Sequence, residues 1–157
     1  NGSYGLPDLG MTTLDNVLDE ARRITDTVNL PLLVDIDTGW GGSLMIAKTI
    51  KQMCRASVAA VHIEDQLFDK RCGHRSGKAL VTKSEMCDRI KAAVDAKLDS
   101  DFVVMARTDA FDVEGLAATI DRCAAYKEAG ADMLFAEAMP QADFYKKIKD
   151  YFSFVDI

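Results

Sequence analysis

The sequence predicts an α/β fold in which parallel strands alternate with helices. Four short runs of apolar and β-branched residues lack the polar alternation of a half-exposed strand, which is typical of parallel strands buried on both faces. Longer stretches with apolar residues at helical spacing lie between these runs. The chain has 157 residues, 48% of them hydrophobic, so we expect residues 1–157 to form a single domain with its own core.

The predicted elements follow one another in a regular order. In chain order they are helix 14–28, strand 30–37, helix 44–55, strand 58–65, helix 82–97, strand 101–109, helix 116–128, strand 131–138 and helix 142–151. Helix 82–97 has the clearest start, because Thr82 and Glu85 form a capping-box pattern before the apolar residues. Gly130 lies where a glycine commonly ends a helix. The last segment, SFVDI (153–157), is typical of a strand that is just beginning.

Two architectures fit this alternation. A (β/α)8 barrel typically has about 250 residues, so about five of its eight βα units would occupy roughly 156 residues. An open doubly wound sheet would need no missing strands. Chain length alone leaves both open. In either architecture, ligands bind at the carboxyl ends of the strands.

Composition excludes several classes of partner. The net charge is -6 and the pI is about 4.9, so a nucleic-acid-binding surface is not expected. No basic amphipathic stretch predicts a membrane surface, and no apolar run reaches the roughly 18 residues of a spanning helix. The four cysteines form no C-x-x-C pair, and no hydrophobic signal segment opens the chain. We therefore expect a reduced, cytoplasmic setting.

Charged residues follow the apolar part of every predicted strand. Carboxylates that converge on one edge of a sheet repel each other unless a cation lies among them, and oxygen ligands favour Mg²⁺ or Mn²⁺. The acids that we interpret together as indicating a divalent metal are Asp35, Asp37, Glu64 and Glu137. Asp65, Asp101 and Asp109, taken singly, are interpreted instead as helix caps or solvated loop acids.

A cationic loop with a cysteine is unusual in an acidic chain. KRCGHRSGK (70–78) contains four lysine or arginine residues, one histidine and Cys72, without the periodicity of a strand or helix. Positive charge favours a reactive thiolate and attracts anionic substrates. An ordinary solvated loop is the alternative interpretation of these residues.

The loop begins with KRCGH (70–74), which closely matches a signature of the isocitrate lyase and phosphoenolpyruvate mutase superfamily. Five other segments resemble the branch of that superfamily that cleaves 2-methylisocitrate. They are GLPDLG (5–10), LLVDIDTGWGG (32–42), HIEDQ (62–66), ARTDA (106–110) and LFAEA (134–138). All six motifs occur in the family order. The resemblance implies a (β/α)8 barrel, of which this chain would hold an incomplete portion of about five units.

The resemblance also implies a reaction and a set of site residues. This branch uses Mg²⁺, with Mn²⁺ as an alternative, to split 2-methylisocitrate into pyruvate and succinate in the methylcitrate cycle of propionate catabolism. The implied metal ligands are Asp37, Asp35, Glu64 and Asp8. The implied substrate-binding residues are Arg107, Glu137, Arg71 and Gly73. The implied catalytic residues are Cys72, Lys70 and His74.

These residue types suit the implied chemistry. The metal makes the substrate hydroxyl easier to deprotonate, and the carbon–carbon bond then breaks. Negative charge develops beside a carboxylate and needs cationic stabilisation and a proton. We interpret Cys72, on a loop that closes over the site, as the donor of that proton. The expected partners are a small tricarboxylate substrate and, by resemblance, other copies of the chain in a homotetramer.

Two alternatives remain for the function. The first is an isocitrate lyase or a carbon–phosphorus mutase of the same superfamily. The second is an inactive fragment that acts only through association, because the family barrel has strands before GLPDLG and after residue 157. We therefore expect the chain to be part of a lyase, with exposed sheet edges that favour a partner.

Overall fold

The computed structural model describes residues 2–151 and confirms the predicted alternation. After a 3-10 helix at Gly2–Tyr4, the strands are β1 (Leu33–Asp35), β2 (Ala60–Glu64), β3 (Val103–Thr108) and β4 (Met133–Ala136). The helices are α1 (Leu14–Thr25), α2 (Ser43–Arg55), α3 (Lys83–Asp95), α4 (Ala110–Glu114), α5 (Leu116–Glu128) and α6 (Ala142–Tyr151). The predicted strand at 153–157 lies outside the described residues.

The strands are shorter than their predicted segments, and some helix boundaries differ. β1 begins at Leu33 rather than at residue 30, because Pro31 has no N–H to donate to a neighbouring strand. α1 ends at Thr25 rather than at residue 28. The short helix α4 was not predicted, and Gly115, with a φ of +82°, separates it from α5.

Side-chain caps fix the starts of two helices. The Thr13 hydroxyl accepts a hydrogen bond from the Asn16 N–H at 3.2 Å, and Asn16 Oδ1 accepts one from the Thr13 N–H at 3.0 Å. At α3, Thr82 accepts from the Glu85 N–H at 3.1 Å, as predicted. The predicted return hydrogen bond, from the Thr82 N–H to the Glu85 carboxylate, is wrong. That carboxylate instead accepts from Arg89 at 2.8 Å.

The sheet decides between the two predicted architectures. Its strands are all parallel, and their order across the sheet, β1-β2-β3-β4, is their order in the chain. The helices follow the same order, since α2 packs on α3, α3 on α5 and α5 on α6. A doubly wound sheet reverses its strand order, whereas a barrel adds each unit beside the last. The chain is therefore part of a (β/α)8 barrel, and residues 2–151 include four of its strands.

The apolar core lies between the sheet and the helices. The fully buried residues that point into it include Val61, Ile63 and Val104 in the strands and Ile36 directly after β1. The intervening residues point to the opposite face, which would line the inside of a closed barrel. The register aligns Glu64 with Arg107 on that inner face, near the carboxyl ends of the strands. Within residues 2–151, no helix is long and apolar enough to cross a membrane.

Candidate active site

Lys70 lies at the centre of the acidic residues that the sequence grouped together. Its Nζ atom is 2.8 Å from Asp8 Oδ1, 2.7 Å from Asp37 Oδ1 and 3.9 Å from Glu64 Oε1. The Lys70 side chain is 2% exposed. Burial alone would lower the pKa of Lys70, but the surrounding carboxylates raise it overall. Lys70 is therefore a charged ammonium that holds together carboxylates from three separate segments.

Glu64, at the end of β2, is a buried carboxylate that no donor within residues 2–151 satisfies. Its side chain is fully buried, and neither of its oxygens has a hydrogen-bond partner among residues 2–151. Burial raises the pKa of Glu64 to about 8, although the positive charges of Arg107 and Lys70 oppose this shift. The nearest guanidinium nitrogen, Arg107 Nη2, is 3.4 Å away. A carboxylate in this environment favours a proton or an additional cation.

Arg107 connects the end of β3 to the neighbouring acids. Its Nε atom donates to Asp109 Oδ2 at 3.0 Å, and its Nη2 atom donates to Asp109 Oδ1 at 3.3 Å, so the contact is bidentate. Glu137 and Asp35 lie further away, at 3.7 and 3.9 Å. Burial opposes the charged form, but Asp109 and the other acids raise the pKa of Arg107 overall. The result is a fixed cation facing the inner side of the sheet.

Asp37 follows β1 and has a backbone conformation that is uncommon for a residue other than glycine. Its φ is +48°, and its N–H donates to Asp35 Oδ1 at 2.8 Å. Burial raises the pKa of Asp37; its hydrogen bond with Lys70 opposes this shift, and the charge of Asp35 adds to it. Left-handed backbone at such a position costs about 1–3 kcal/mol and is common at functional sites.

The cysteine loop, residues 70–78, lies over this cluster. Gly73 is so close to β3 and β4 that an added Cβ would overlap Glu137 and lie 2.6 Å from Arg107 Nη2. His74 Nε2 is 3.5 Å from Glu137 Oε1, although the His74 side chain is 78% exposed. Cys72, between Arg71 and Gly73, is a partly buried free cysteine.

A hydrogen bond with the Asp8 carboxylate places the Cys72 thiol beside the acidic cluster. Burial alone would raise the pKa of Asp8, but hydrogen bonds with Lys70 and Cys72, together with nearby positive charge, lower it overall. The cysteine and the central lysine therefore share one carboxylate. This contact connects the predicted proton donor to the predicted metal ligands.

Most of the predicted site residues meet at this edge of the sheet. The guanidinium of Arg71 lies beside Gly77 in the loop, and the Arg71 backbone pairs with the Gln66 side chain, so its substrate-binding role stays a prediction. Asp65 is fully buried, and its carboxylate accepts from Thr108 and Tyr126, so its interpretation as a cap or solvated acid is wrong. Asp109 does lie at the N-cap position of α4, but it is buried and its carboxylate accepts from Arg107 rather than from the helix. Asp101 does lie in an exposed turn, as predicted.

Asp65 anchors a buried network behind the site. Its Oδ2 atom accepts hydrogen bonds from Thr108 at 2.7 Å and from Tyr126 at 2.7 Å, and Arg122 is 3.4 Å away. Its Oδ1 atom accepts from the Asp109 N–H at 2.9 Å. Asp65 therefore fixes the backbone at the end of β3, directly after Arg107. The sequence places Asp65 beside Glu64, but strand alternation turns the two side chains to opposite faces.

Residues 2–151 contain no group of three or more histidine, cysteine, aspartate or glutamate side chains arranged to hold a metal ion. Instead, the Lys70 ammonium lies between Asp8 and Asp37. The donor set nevertheless suits a hard cation, because it consists of carboxylates. Glu64 adds two oxygens without hydrogen-bond partners among the described residues.

Charged residues and a cysteine at the carboxyl ends of parallel barrel strands are typical of the barrel class of enzymes. The family model described as phosphoenolpyruvate phosphomutase matches residues 2–153, and the chain therefore belongs to that family. The resemblance inferred from the six motifs is confirmed.

Curated relatives give a more specific similarity. The chain is 62% identical over 149 residues to 2-methylisocitrate lyase of Shewanella oneidensis and 60% identical over 150 residues to 2-methylisocitrate lyase of Escherichia coli. Each match covers 95% of this chain and 51% of the relative. The chain thus spans about half the length of the curated relatives it matches.

Solved structures share the fold. The crystal structure of 2,3-dimethylmalate lyase, described as a member of the PEP mutase/isocitrate lyase superfamily, has a TM-score of 0.91 at 40% identity, and the match covers 94% of this chain and 50% of that one. Phosphonopyruvate hydrolase, in complex with oxalate and Mg²⁺, has a TM-score of 0.84 at 32% identity, and the match covers 95% and 52%. Both matches again cover about half of the longer protein.

Proposed function

We propose that the chain carries the metal-binding and cysteine-bearing part of a carbon–carbon lyase that cleaves 2-methylisocitrate into pyruvate and succinate. The observation that carries this proposal is the position of the Cys72 loop, which lies over carboxylates gathered around Lys70 and beside Arg107. The 62% identity to a 2-methylisocitrate lyase, against 40% to 2,3-dimethylmalate lyase, favours this substrate.

Mg²⁺ or Mn²⁺ is the proposed cofactor, and Asp37, Asp35, Glu64 and Asp8 would hold it, directly or through water. The carboxylate donors suit such an ion, and the charged form of Glu64 is costly because it is buried without a hydrogen-bond donor from the described part of the chain. Phosphonopyruvate hydrolase, a structural neighbour, was solved with Mg²⁺. Once bound, the ion would supply Lewis acidity that lowers the pKa of a substrate hydroxyl.

The protein side chains account for binding and proton transfer. The Arg107 guanidinium, held by Asp109, presents its remaining N–H groups to a substrate carboxylate. The substrate hydroxyl loses its proton and becomes the ketone oxygen of pyruvate as the carbon–carbon bond breaks. The bonding electrons pass to the carbon that leaves as part of succinate, and Cys72 gives that carbon a proton. Lys70 adds positive charge beside the developing anion, and His74 can donate a ring N–H to it. Arg71, Gly73 and Glu137 shape the binding surface.

The proposal extends to the cellular setting. We place the reaction in the methylcitrate cycle, in the cytoplasm, and in an assembly that is homotetrameric when the barrel is complete. A single domain over residues 1–157 would supply four or five of the barrel units. The isocitrate lyase and carbon–phosphorus mutase alternatives have less support, because the relatives named above carry the 2-methylisocitrate lyase name. The experiment below separates an active lyase from the inactive-fragment alternative.

The test measures pyruvate and succinate released from 2-methylisocitrate by the purified chain. It is run with and without Mg²⁺, and with the chain alone or mixed with the portion of the Escherichia coli relative that this chain does not match. Cys72→Ser should abolish turnover, whereas Cys54→Ser, on α2 away from the site, should not. A folded mixture that releases neither product would refute the proposed reaction. Faster cleavage of isocitrate would refute the proposed substrate.

A further inference from the structure

Gln66 directly follows the HIED segment at the end of β2, and its side chain is fully buried. Its Nε2 atom donates to the Arg71 carbonyl at 2.9 Å, and its Oε1 atom accepts from the Arg71 N–H at 2.9 Å. One side-chain amide thus satisfies both backbone groups of the residue before Cys72. A buried amide with both ends paired fixes the position of the backbone that it contacts.

Lys78 makes a similar contact on the other side of Cys72. Its side chain is 1% exposed, and its Nζ atom donates to the carbonyl of Gly73. The ammonium is also 3.5 Å from Asp109 Oδ1 and 3.8 Å from Asp112 Oδ2. One carboxylate directly after β3 and one in α4 therefore balance its positive charge. The loop backbone is therefore tied to the same aspartate that orients Arg107.

The base of the loop is closed independently of these two side chains. The Leu67 N–H donates to the Ala79 carbonyl at 2.8 Å, and Gln66 pairs with Leu80 in an isolated antiparallel bridge. Loss of the Gln66 or Lys78 side-chain contact would leave this base in place. Only the central part of the loop, which includes Cys72, would be released.

We propose that Gln66 and Lys78 are positioning residues that clamp the backbone on both sides of Cys72 and hold its thiol beside Asp8. This inference rests on the proposed function for its catalytic meaning, because the clamp matters to the reaction only if Cys72 donates the proton. The clamp itself is a property of the loop and can be tested without any substrate. Neither residue contacts the reacting atoms.

The clamp predicts how fast Cys72 reacts with iodoacetamide. Peptide mass spectrometry of the full chain measures the rate separately for Cys72 and the other three cysteines, between pH 6 and pH 9. Gln66→Glu keeps the acceptor for the Arg71 N–H but places an oxygen against the Arg71 carbonyl, and Lys78→Met removes the donor to Gly73. Each change should raise the Cys72 rate about tenfold, since one buried hydrogen bond is worth about one power of ten in an equilibrium.

Two further variants separate positioning from general stability. Lys78→Arg retains a donor and should restore most of the protection of Cys72. Lys83→Met removes a lysine of the exposed surface pair with Asp121 and should leave the Cys72 rate unchanged. Unchanged Cys72 rates in both Gln66→Glu and Lys78→Met would overturn the clamp. So would an equal acceleration at the buried Cys123, which reports general loosening of the fold.

The labelling experiment tests the clamp separately from the proposed reaction. Accelerated Cys72 labelling in a chain that never cleaves 2-methylisocitrate would support the clamp and count against the reaction. Where turnover is measurable, Lys78→Met should lower kcat more than it changes KM, because the residue acts on Cys72 rather than on substrate binding. An equal kcat in Lys78→Met and the parent protein would overturn the catalytic meaning of the clamp.

Discussion

Replacement of Glu64 by glutamine should stabilise the metal-free chain at neutral and alkaline pH. The Glu64 side chain is fully buried without hydrogen-bond partners in the described part of the chain, and burial raises its pKa from 4.5 to about 8. The folded state therefore keeps the Glu64 proton at pH values where the unfolded chain has lost it. Its contribution to stability is complete below pH 4.5 and is lost as the pH rises to about 8. Glutamine has the same shape and no such titration.

The size of the effect follows from the two pKa values. Each pH unit between them corresponds to about 1.4 kcal/mol of unfolding free energy. Between pH 5 and pH 8, the parent chain should lose up to about 4 kcal/mol through this one group. The Glu64→Gln variant should lose little of that amount, so the stability difference between the two proteins should grow with pH.

Urea unfolding in the presence of a chelator, followed by the fluorescence of Trp40, provides the measurement at pH 5, 6.5 and 8. Glu128→Gln, at an exposed position near the end of α5, is the matched control and should follow the parent curve. If the unfolding free energies of Glu64→Gln and the parent protein fall in parallel with pH, the buried ionisation of Glu64 is not the cause. The reasoning about Glu64 as an unsatisfied carboxylate would then be refuted.

Three further predictions concern the network, the loop and the metal. Tyr126→Phe removes a donor from buried Asp65 and should lower the unfolding free energy by about 2 kcal/mol, measured by urea unfolding; no loss would mean that Asp65 is satisfied without it. Gly73→Ala should prevent the loop from closing, so Cys72 labelling should accelerate, and a parental rate would contradict the close packing at Gly73. Mg²⁺ titration should change the fluorescence of Trp40, three residues after Asp37, and the change should be absent in Asp37→Asn. A change retained in that variant would place the ion elsewhere.

Much of the fold could be predicted because each buried strand leaves a local signal. A short apolar run marks a parallel strand whatever its neighbours are. The choice between a barrel and an open sheet could not be made in this way, since it depends on the order in which strands pair. That order appears only in the register, such as Glu64 beside Arg107. The full capping box failed for a similar reason, because Arg89 competes for Glu85.

The candidate site could also be predicted only in part. Asp35, Asp37 and Glu64 could be found because strand ends meet at one edge of a parallel sheet, and the motifs singled out the cysteine loop. Gln66 and Lys78 were missed because their partners are backbone groups of a loop that folds back, a contact without any periodic signal. Asp65 was misjudged because its partner Tyr126 lies 61 residues further along the chain.

The ammonium of Lys70 has a consequence for the order of assembly. Carboxylates gathered without a cation would repel each other during folding, and Lys70 neutralises Asp8 and Asp37 from within the chain. The acids can therefore come together before any metal ion binds, because the chain supplies the counter-charge itself. The proposed ion would then bind to carboxylates that are already in place.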